Sequence, residues 1–445
     1  MIQHPLSALV VDGSAPVRIS LRGLLQGFEM TDIDAAATVA EARRKLSSRK
    51  YDVILCEYHF DGEETGQDLL EQIAEERMQP PPTIFIMVTT EANYPRVMSV
   101  AEIVPDEYIL KPIQTGQLSD RLEKALARRH ALLELHEALY AGKYNKALKM
   151  AQEMMTYKSP YTSDVAKIVA QTLCKLERFN EAAVFYRHIA KTKSLPWAKF
   201  GLAKVSLMQG DRETTEAMLL DVINQHLRYL PVYDCLVDFY LDAHQHAPAL
   251  DILQRALEIS PHSMRRIQRA GQLAFGLGDK AAAAKYLNRA LALRGSTVEL
   301  DFRTMFQLVV LRFDAGESAE GASLVKQMRA KHGDFNNLPN QFGMTRGQAS
   351  NYCDLATAVE VLATRPLGTI DLMRALAGEW ESPDFDLAFA MDYMSVVARL
   401  YTPDLAPTLC DWIGPIKGRF STDEAVRELL TVRLKGCPEL LSAFD

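Results

Sequence analysis

No stretch of this 445-residue chain approaches the eighteen or so consecutive apolar residues that cross a bilayer, so no membrane helix is expected. The N-terminus, MIQHPLSALVVDG, lacks a basic segment followed by an apolar core and a cleavage site, which argues against a secretion signal. Six cysteines (Cys56, Cys174, Cys235, Cys353, Cys410 and Cys437) are scattered with no CxxC spacing, a pattern that supports neither zinc nor a disulfide framework and fits the reduced thiols of a cytoplasmic protein. There is no excess of positive charge: 50 Lys and Arg stand against 57 Asp and Glu, a formal charge of −7, so a general nucleic-acid binder is excluded as an expectation. The short basic clusters Arg128-Arg129 and Arg265-Arg266 read as solvated helix faces. Catalytic signatures are also missing, whether P-loop, nucleophile elbow, HExxH or Rossmann glycine fingerprint, so neither an enzyme nor a cofactor is expected. His244 and His246 share one turn, and two histidines alone do not make a metal site.

What the chain does have is internal repetition. Aligned 34 residues apart, Val237 and Gly271, Ala249 and Ala283, Leu253 and Leu287, and Ala256 and Ala290 coincide. A fixed period of this length marks stacked supersecondary units. Within each unit the small and apolar residues recur at three and four positions, as two amphipathic helices require. Extending the register gives Ala147, Ala182, Thr215, Ala249, Ala283 and Gly321 in one slot. The matching turns fall at Gly142, Glu177, Gly210, His244, Gly278 and Gly316. These residues resemble the tetratricopeptide repeat (TPR), a helix-turn-helix that is stable only when stacked.

The first 120 residues follow another rule. Ala8–Asp12, Asp52–Cys56 and Thr83–Thr89 are short apolar runs, and Tyr108–Leu110 precedes Lys111-Pro112. Apolar runs alternating with helical patterns predict a parallel sheet covered on both faces. Ligands of such sheets sit beyond the carboxyl ends of the strands, where Asp12, Glu57, Thr89 and Lys111 should converge.

That order resembles the receiver domain of two-component response regulators, whose flavodoxin-like fold implies a five-stranded parallel sheet. The resemblance makes Asp12 one of an acidic pair, Thr89 the hydroxyl residue, Lys111-Pro112 the Lys-Pro pair and Tyr108 the switch aromatic. Two positions depart from it. Gly13 stands where the second acid should be, and Glu57 replaces the phospho-accepting aspartate. Magnesium demands near-octahedral oxygen ligands, so these substitutions leave too few. Without a metal, nothing neutralises an incoming phosphoryl group. A pseudo-receiver follows, in which Glu57 is either a fixed mimic of the phosphorylated state, held by Lys111, or a relic whose charge Lys111 merely balances.

Gln117 to Ala141 contains neither glycine nor proline and carries leucines at helical spacing, so one helix is expected to run from the first module into the repeats. The TPR register assigns Lys167, Gln171, Lys204, Asp234, Asp238, Arg265, Gln268, Arg269 and Gln272 to a concave groove that would receive a partner protein or peptide. After Lys331 the period fails. Residues 332–347 read as a loop, and residues 348–445 read as helical again, with Phe385, Leu387, Met391, Met394 and Val397 as a packing stripe. A capping box is expected at Ser421 and Glu424.

The expected organisation is therefore multi-domain: a receiver-like α/β module over 1–120, an all-α TPR superhelix of about six repeats over 121–331, and a helical region over 348–445. The function expected from it is that of a bacterial, cytoplasmic, non-catalytic signalling adaptor that binds a protein through the groove, with a homodimer through the receiver-like module as a further expectation. The alternative is a phosphorylation-switched regulator whose output is protein binding.

Overall fold

The computed structural model of the chain describes residues 6–60, 65–75, 78–80, 83–90, 105–157, 160–192, 195–261, 263–294, 300–337, 343–363, 365–421 and 424–444. It divides into two compact units, Met1–Tyr233 and Asp234–Asp445, which are taken separately.

The first unit opens with five parallel strands, β1 (Ser7–Val11), β2 (Asp32–Ala36), β3 (Val53–Glu57), β4 (Ile84–Thr89) and β5 (Glu107–Leu110), in the order β2-β1-β3-β4-β5. Successive residues of a strand point to opposite faces, and here both faces are covered. Val10, Leu55 and Ile86, in register across three strands, meet Leu21 and Leu25 of α1 (Ala15–Gln26) and Leu118 and Leu122 of α4 (Thr115–Tyr140). Leu9, Ile54 and Phe85 meet Leu46 of α2 (Val39–Ser48) and Leu69 of α3 (Gly66–Glu75). Strand β2, DIDAA, is not among the apolar runs of the sequence. It is one of the two edge strands, only Ile33 and Ala36 of it are buried, and local hydrophobicity does not mark it.

Helix α4 is continuous over 26 residues, about 39 Å at 1.5 Å per residue. Its first half contributes Leu118, Leu122 and Ala125 to the sheet's core. Its second half contributes Leu132, Leu135 and Ala138 to the core of the helical hairpins that follow. At the midpoint, Arg128 reaches Asp106 at 3.2 Å and Asp164 at 2.8 Å, while Arg129 reaches Asp52 at 2.5 Å. The Arg128-Arg129 cluster is thus a bracket between sheet and hairpins and not a solvated face.

The hairpins of this unit are α4 with α5 (Tyr144–Thr156), α6 (Thr162–Lys175) with α7 (Phe179–Thr192), and α8 (Pro196–Met208) with α9 (Arg212–Gln225). Helix α10 (Leu230–Asp242) contains the boundary between units and is followed by α11 (His246–Ile259). Then come α12 (Met264–Gly276) with α13 (Lys280–Arg294), and α14 (Phe302–Asp314) with α15 (Ser318–Gly333).

The six turns share one backbone device. Gly142, Glu177, Gly210, His244, Gly278 and Gly316 all have φ between 56° and 85°. In each, the next residue's N–H reaches back to a carbonyl five residues earlier, as Lys143 does to Ala138 and Asp279 to Ala274. This is the left-handed cap that ends one helix and starts the next. The slot residues Ala147, Ala182, Thr215, Ala249 and Ala283 are fully buried. At Gly321 an added Cβ would lie 2.6 Å from the Phe313 ring, which explains the loss of alanine there.

Glu177 takes the left-handed conformation without being glycine, at a cost of about 1–2 kcal/mol. Glycine would remove that strain and add roughly 0.5–1 kcal/mol of unfolded-state entropy. Glu177→Gly should therefore stabilise the first unit by about 0.5–1 kcal/mol. A lower urea midpoint for this variant would contradict the turn assignment.

Beyond residue 343, α16 (Arg346–Leu362) and α17 (Pro366–Gly378) form a seventh hairpin, followed by α18 (Leu387–Leu400), α19 (Ala406–Phe420), α20 (Glu424–Thr431) and α21 (Pro438–Ser442). The expected capping box at Ser421 does not form. Ser421 closes α19 instead, and among the described residues its buried hydroxyl has no hydrogen-bond partner. The capping box sits at Thr345 and Gln348, at the head of α16.

Candidate functional site

Parallel strands deliver their carboxyl ends to one edge, so Asp12 after β1, Glu57 ending β3, Thr89 ending β4 and Lys111 after β5 come together. Asp12 and Glu57 flank the point where the strand order reverses. Lys111 Nζ donates to Asp12 Oδ2 at 2.8 Å and to Glu57 Oε2. The remaining carboxylate oxygens are also engaged. Asp12 Oδ1 accepts from the Ser14 amide at 2.8 Å, and Glu57 Oε1 accepts from the Tyr58 and His59 amides at 2.8 and 3.2 Å. Arg18 donates to the backbone carbonyls of Asp12 and Gly13 at 2.6 and 3.0 Å.

Asp12, Glu57 and Thr89 are buried, at 2%, 6% and 0% exposure. Burial opposes the charge on Lys111, but hydrogen bonds to Asp12 and Glu57 outweigh it and hold its pKa above the ordinary lysine value. Tyr108 is half-buried on β5, with the Arg121 guanidinium 5.4 Å from its ring centre.

Whether magnesium fits is decided by these contacts. A divalent ion needs several oxygens directed at one point. Here both carboxylates already turn an oxygen to an ammonium, and the Gly13 carbonyl is taken by Arg18. No side chain at Gly13 replaces what is lost, and among the described residues nothing lies within 4 Å of where its Cβ would be. Among the described residues no group of three or more His, Cys, Asp or Glu side chains could hold a metal. The residues present do not fit a magnesium ion.

The expected groove residues divide by unit. In the first, Lys167 and Gln171 on α6 and Lys204 on α8 are exposed, with Lys167 Nζ 5.8 Å from the Trp197 ring centre and Lys204 Nζ 5.4 Å from that of Phe200. In the second, most of the assigned side chains are committed to the fold. Asp234 takes a two-point bond from Arg266, at 2.9 and 2.6 Å, and Asp238 pairs with Arg269. Gln272 donates to Asp301 and Thr304, supporting the N-terminal cap of α14. Gln268 is buried and accepts the Asp301 amide at 3.0 Å, so it does not line an open groove. Arg265 is exposed. The rotation of α12 that presents Arg265 outward turns Arg266 and Gln268 onto neighbouring helices.

Sequence reasoning missed a buried polar cluster. Asp392 on α18, with no exposure, accepts from Arg303 Nε at 2.6 Å, Gln307 Nε2 at 3.1 Å and Tyr352 Oη at 3.2 Å. Every residue from Phe389 to Val397 is buried, because α18 lies against α12, α14 and α16. Those are the first helices of their hairpins, the ones the repeat register assigns to the concave face. The packing stripe read from the sequence holds at Phe385, Met391, Met394 and Val397. Its polar member, one residue after Met391, had no local signal.

Comparison with known proteins agrees with this arrangement at the N-terminus. Residues 8–123 match the response regulator receiver domain family and form such a domain. Chemotaxis protein CheY from Pseudomonas aeruginosa is 28% identical over 124 residues, covering 28% of this chain and 98% of that protein. Chemotaxis protein CheY-3 from Vibrio cholerae is 26% identical over 129 residues, 29% of this chain and 97% of the other. Among solved structures, a tetratricopeptide repeat protein from Parabacteroides merdae is similar at 11% identity and a TM-score of 0.39, over 64% of this chain and all of that one. The crystal structure of MamA is similar at 18% identity and a TM-score of 0.30, over 36% and 94%.

Proposed function

We propose that this chain is a non-catalytic bacterial signalling adaptor working in the cytoplasm. Its receiver module, residues 1–120, is degenerate and independent of phosphorylation, and residues 121–331 form the repeat scaffold that binds another protein. Residues 348–445 complete that scaffold. The observation that carries this reading is the ammonium of Lys111 bonded to both Asp12 and Glu57. An internal cation there takes the place of the metal that phosphoryl transfer would need. The continuous helix α4, buried in both the sheet core and the hairpin core, supports rigid coupling between receiver and scaffold.

The experiment is titration of the full chain with magnesium and then beryllofluoride. No heat and no change in amide shifts at Thr89 and Lys111 are expected. Saturable binding of either would instead favour the phosphorylation-switched regulator, for which the retained Asp12, Thr89 and Lys111 speak.

A further inference from the structure

A cavity of about 280 Å³ opens in the second unit. Leu273 of α12 and Leu387 and Met391 of α18 give it an apolar surface, and Arg269, Gln272 and His246 add polar groups. One wall therefore comes from α18, which is outside the repeated hairpins, so the site does not recur along the array. The volume lies just below the range of about 300–1,000 Å³ common for small-molecule pockets, and suits one side chain with its flanking backbone better than a cofactor.

The polar lining differs in how firmly it is engaged. Gln272 is held by Asp301 and Thr304. Arg303, also at the cavity, is neutralised by the fully buried Asp392. Among the described residues Arg269 is bound only to Asp238, whose side chain is 56% exposed. Exposed pairs of that kind are weak, so a second carboxylate can share the guanidinium. His246 also lines the cavity, and among the described residues its buried Nδ1 has no hydrogen-bond partner. Burial, then the charges of Arg303 and His244, pull the pKa of this ring to about 4, so it is neutral near pH 7.

We propose that this cavity is an anchor site for a partner protein, taking one aliphatic side chain between α12 and α18 with an adjacent carboxylate on Arg269. This rests on the scaffold reading above and specifies the chemistry of the partner. An acidic peptide with a leucine-sized residue beside the acid has the required shape and charge.

The minimal probe is N-acetyl-leucine, which joins an isobutyl side chain to a carboxylate, with N-acetyl-leucinamide as the uncharged control. The full chain carries ¹³C-methyl methionine, and the Met391 signal is assigned by Met391→Leu. N-acetyl-leucine is expected to shift the Met391 methyl saturably in the millimolar range, with the amide at least about fivefold weaker, as a rim charge pair allows. Arg269→Gln should lower the acid to the level of the amide. Ala388→Trp, which fills the cavity from its rim, should abolish the shift while leaving the thermal transition in place. The proposal is overturned if neither probe shifts Met391, if acid and amide bind equally, or if the filled variant still binds. Failure here with capture of a partner by the full chain intact would remove the anchor site and leave the scaffold. Loss of all partner capture would remove the scaffold reading itself.

Discussion

Gly13→Asp combined with Glu57→Asp should give this receiver module the phosphate-accepting site that the proposed reading says it lacks. The prediction follows from how little else is missing. Asp12, Thr89 and Lys111 already stand at the carboxyl edge of the sheet. Among the described residues nothing lies within 4 Å of a Cβ at Gly13, so an aspartate there clashes with none of them. Shortening Glu57 by one methylene withdraws its oxygen from Lys111 and frees the ammonium for an incoming anion. The double variant should bind magnesium saturably and take covalent phosphate from acetyl phosphate at least about tenfold faster than the parent, equivalent to ~1.4 kcal/mol in the barrier. Each single variant should remain near the parent, because metal site and acceptor are needed together. Equal labelling of parent and double variant would show that these two positions are not what separates this module from a phosphorylated receiver.

Lys111→Met should be the costliest single change in the first unit. It deletes the ammonium that Asp12 and Glu57 share, leaving two carboxylates buried side by side. Removing one partner of a buried ionic group costs about 3–5 kcal/mol. The loss should shrink in acid, because two apposed carboxylates raise one another's affinity for a proton and a shared proton replaces the missing cation. In the parent the contribution of Lys111 does not vary across that acid range. Lys111 has a folded pKa above its ordinary 10.5, so its stabilisation is complete below that value and fades as pH rises through the higher one. Urea unfolding of parent and variant between about pH 5 and 8 reads the difference. A loss below about 1 kcal/mol, or one independent of pH, would mean that the three groups are not coupled as drawn.

Most of the secondary structure was legible because its causes are local. A buried parallel strand must be apolar on both faces, and β1, β3 and β4 are. A left-handed helix cap recurs at a fixed place in a repeat, and all six turns were found from period alone, including the two without glycine, Glu177 and His244. The absence of glycine and proline between Gln117 and Ala141 foretold α4, which runs from Thr115 to Tyr140. Convergence of Asp12, Glu57, Thr89 and Lys111 was equally legible, since any parallel sheet brings these strand ends to one edge.

What tertiary structure alone decided is which of these groups touch, and with what charge balance. Lys111 lies 99 residues from Asp12 and 54 from Glu57, and only the closed sheet shows that one ammonium serves both. Helical period placed Asp234, Asp238 and Arg269 on a face, but could not say that they would be engaged internally, because their bonds run between hairpins 31 and 32 residues apart. The same limit hid Asp392, whose partners Arg303 and Gln307 are 89 and 85 residues away. Its helix reads as a plain apolar stripe until the hairpins close around it. Periodicity reports which side of an element is buried. The identity of what covers that side depends on how distant elements meet, and that is a property of the folded chain.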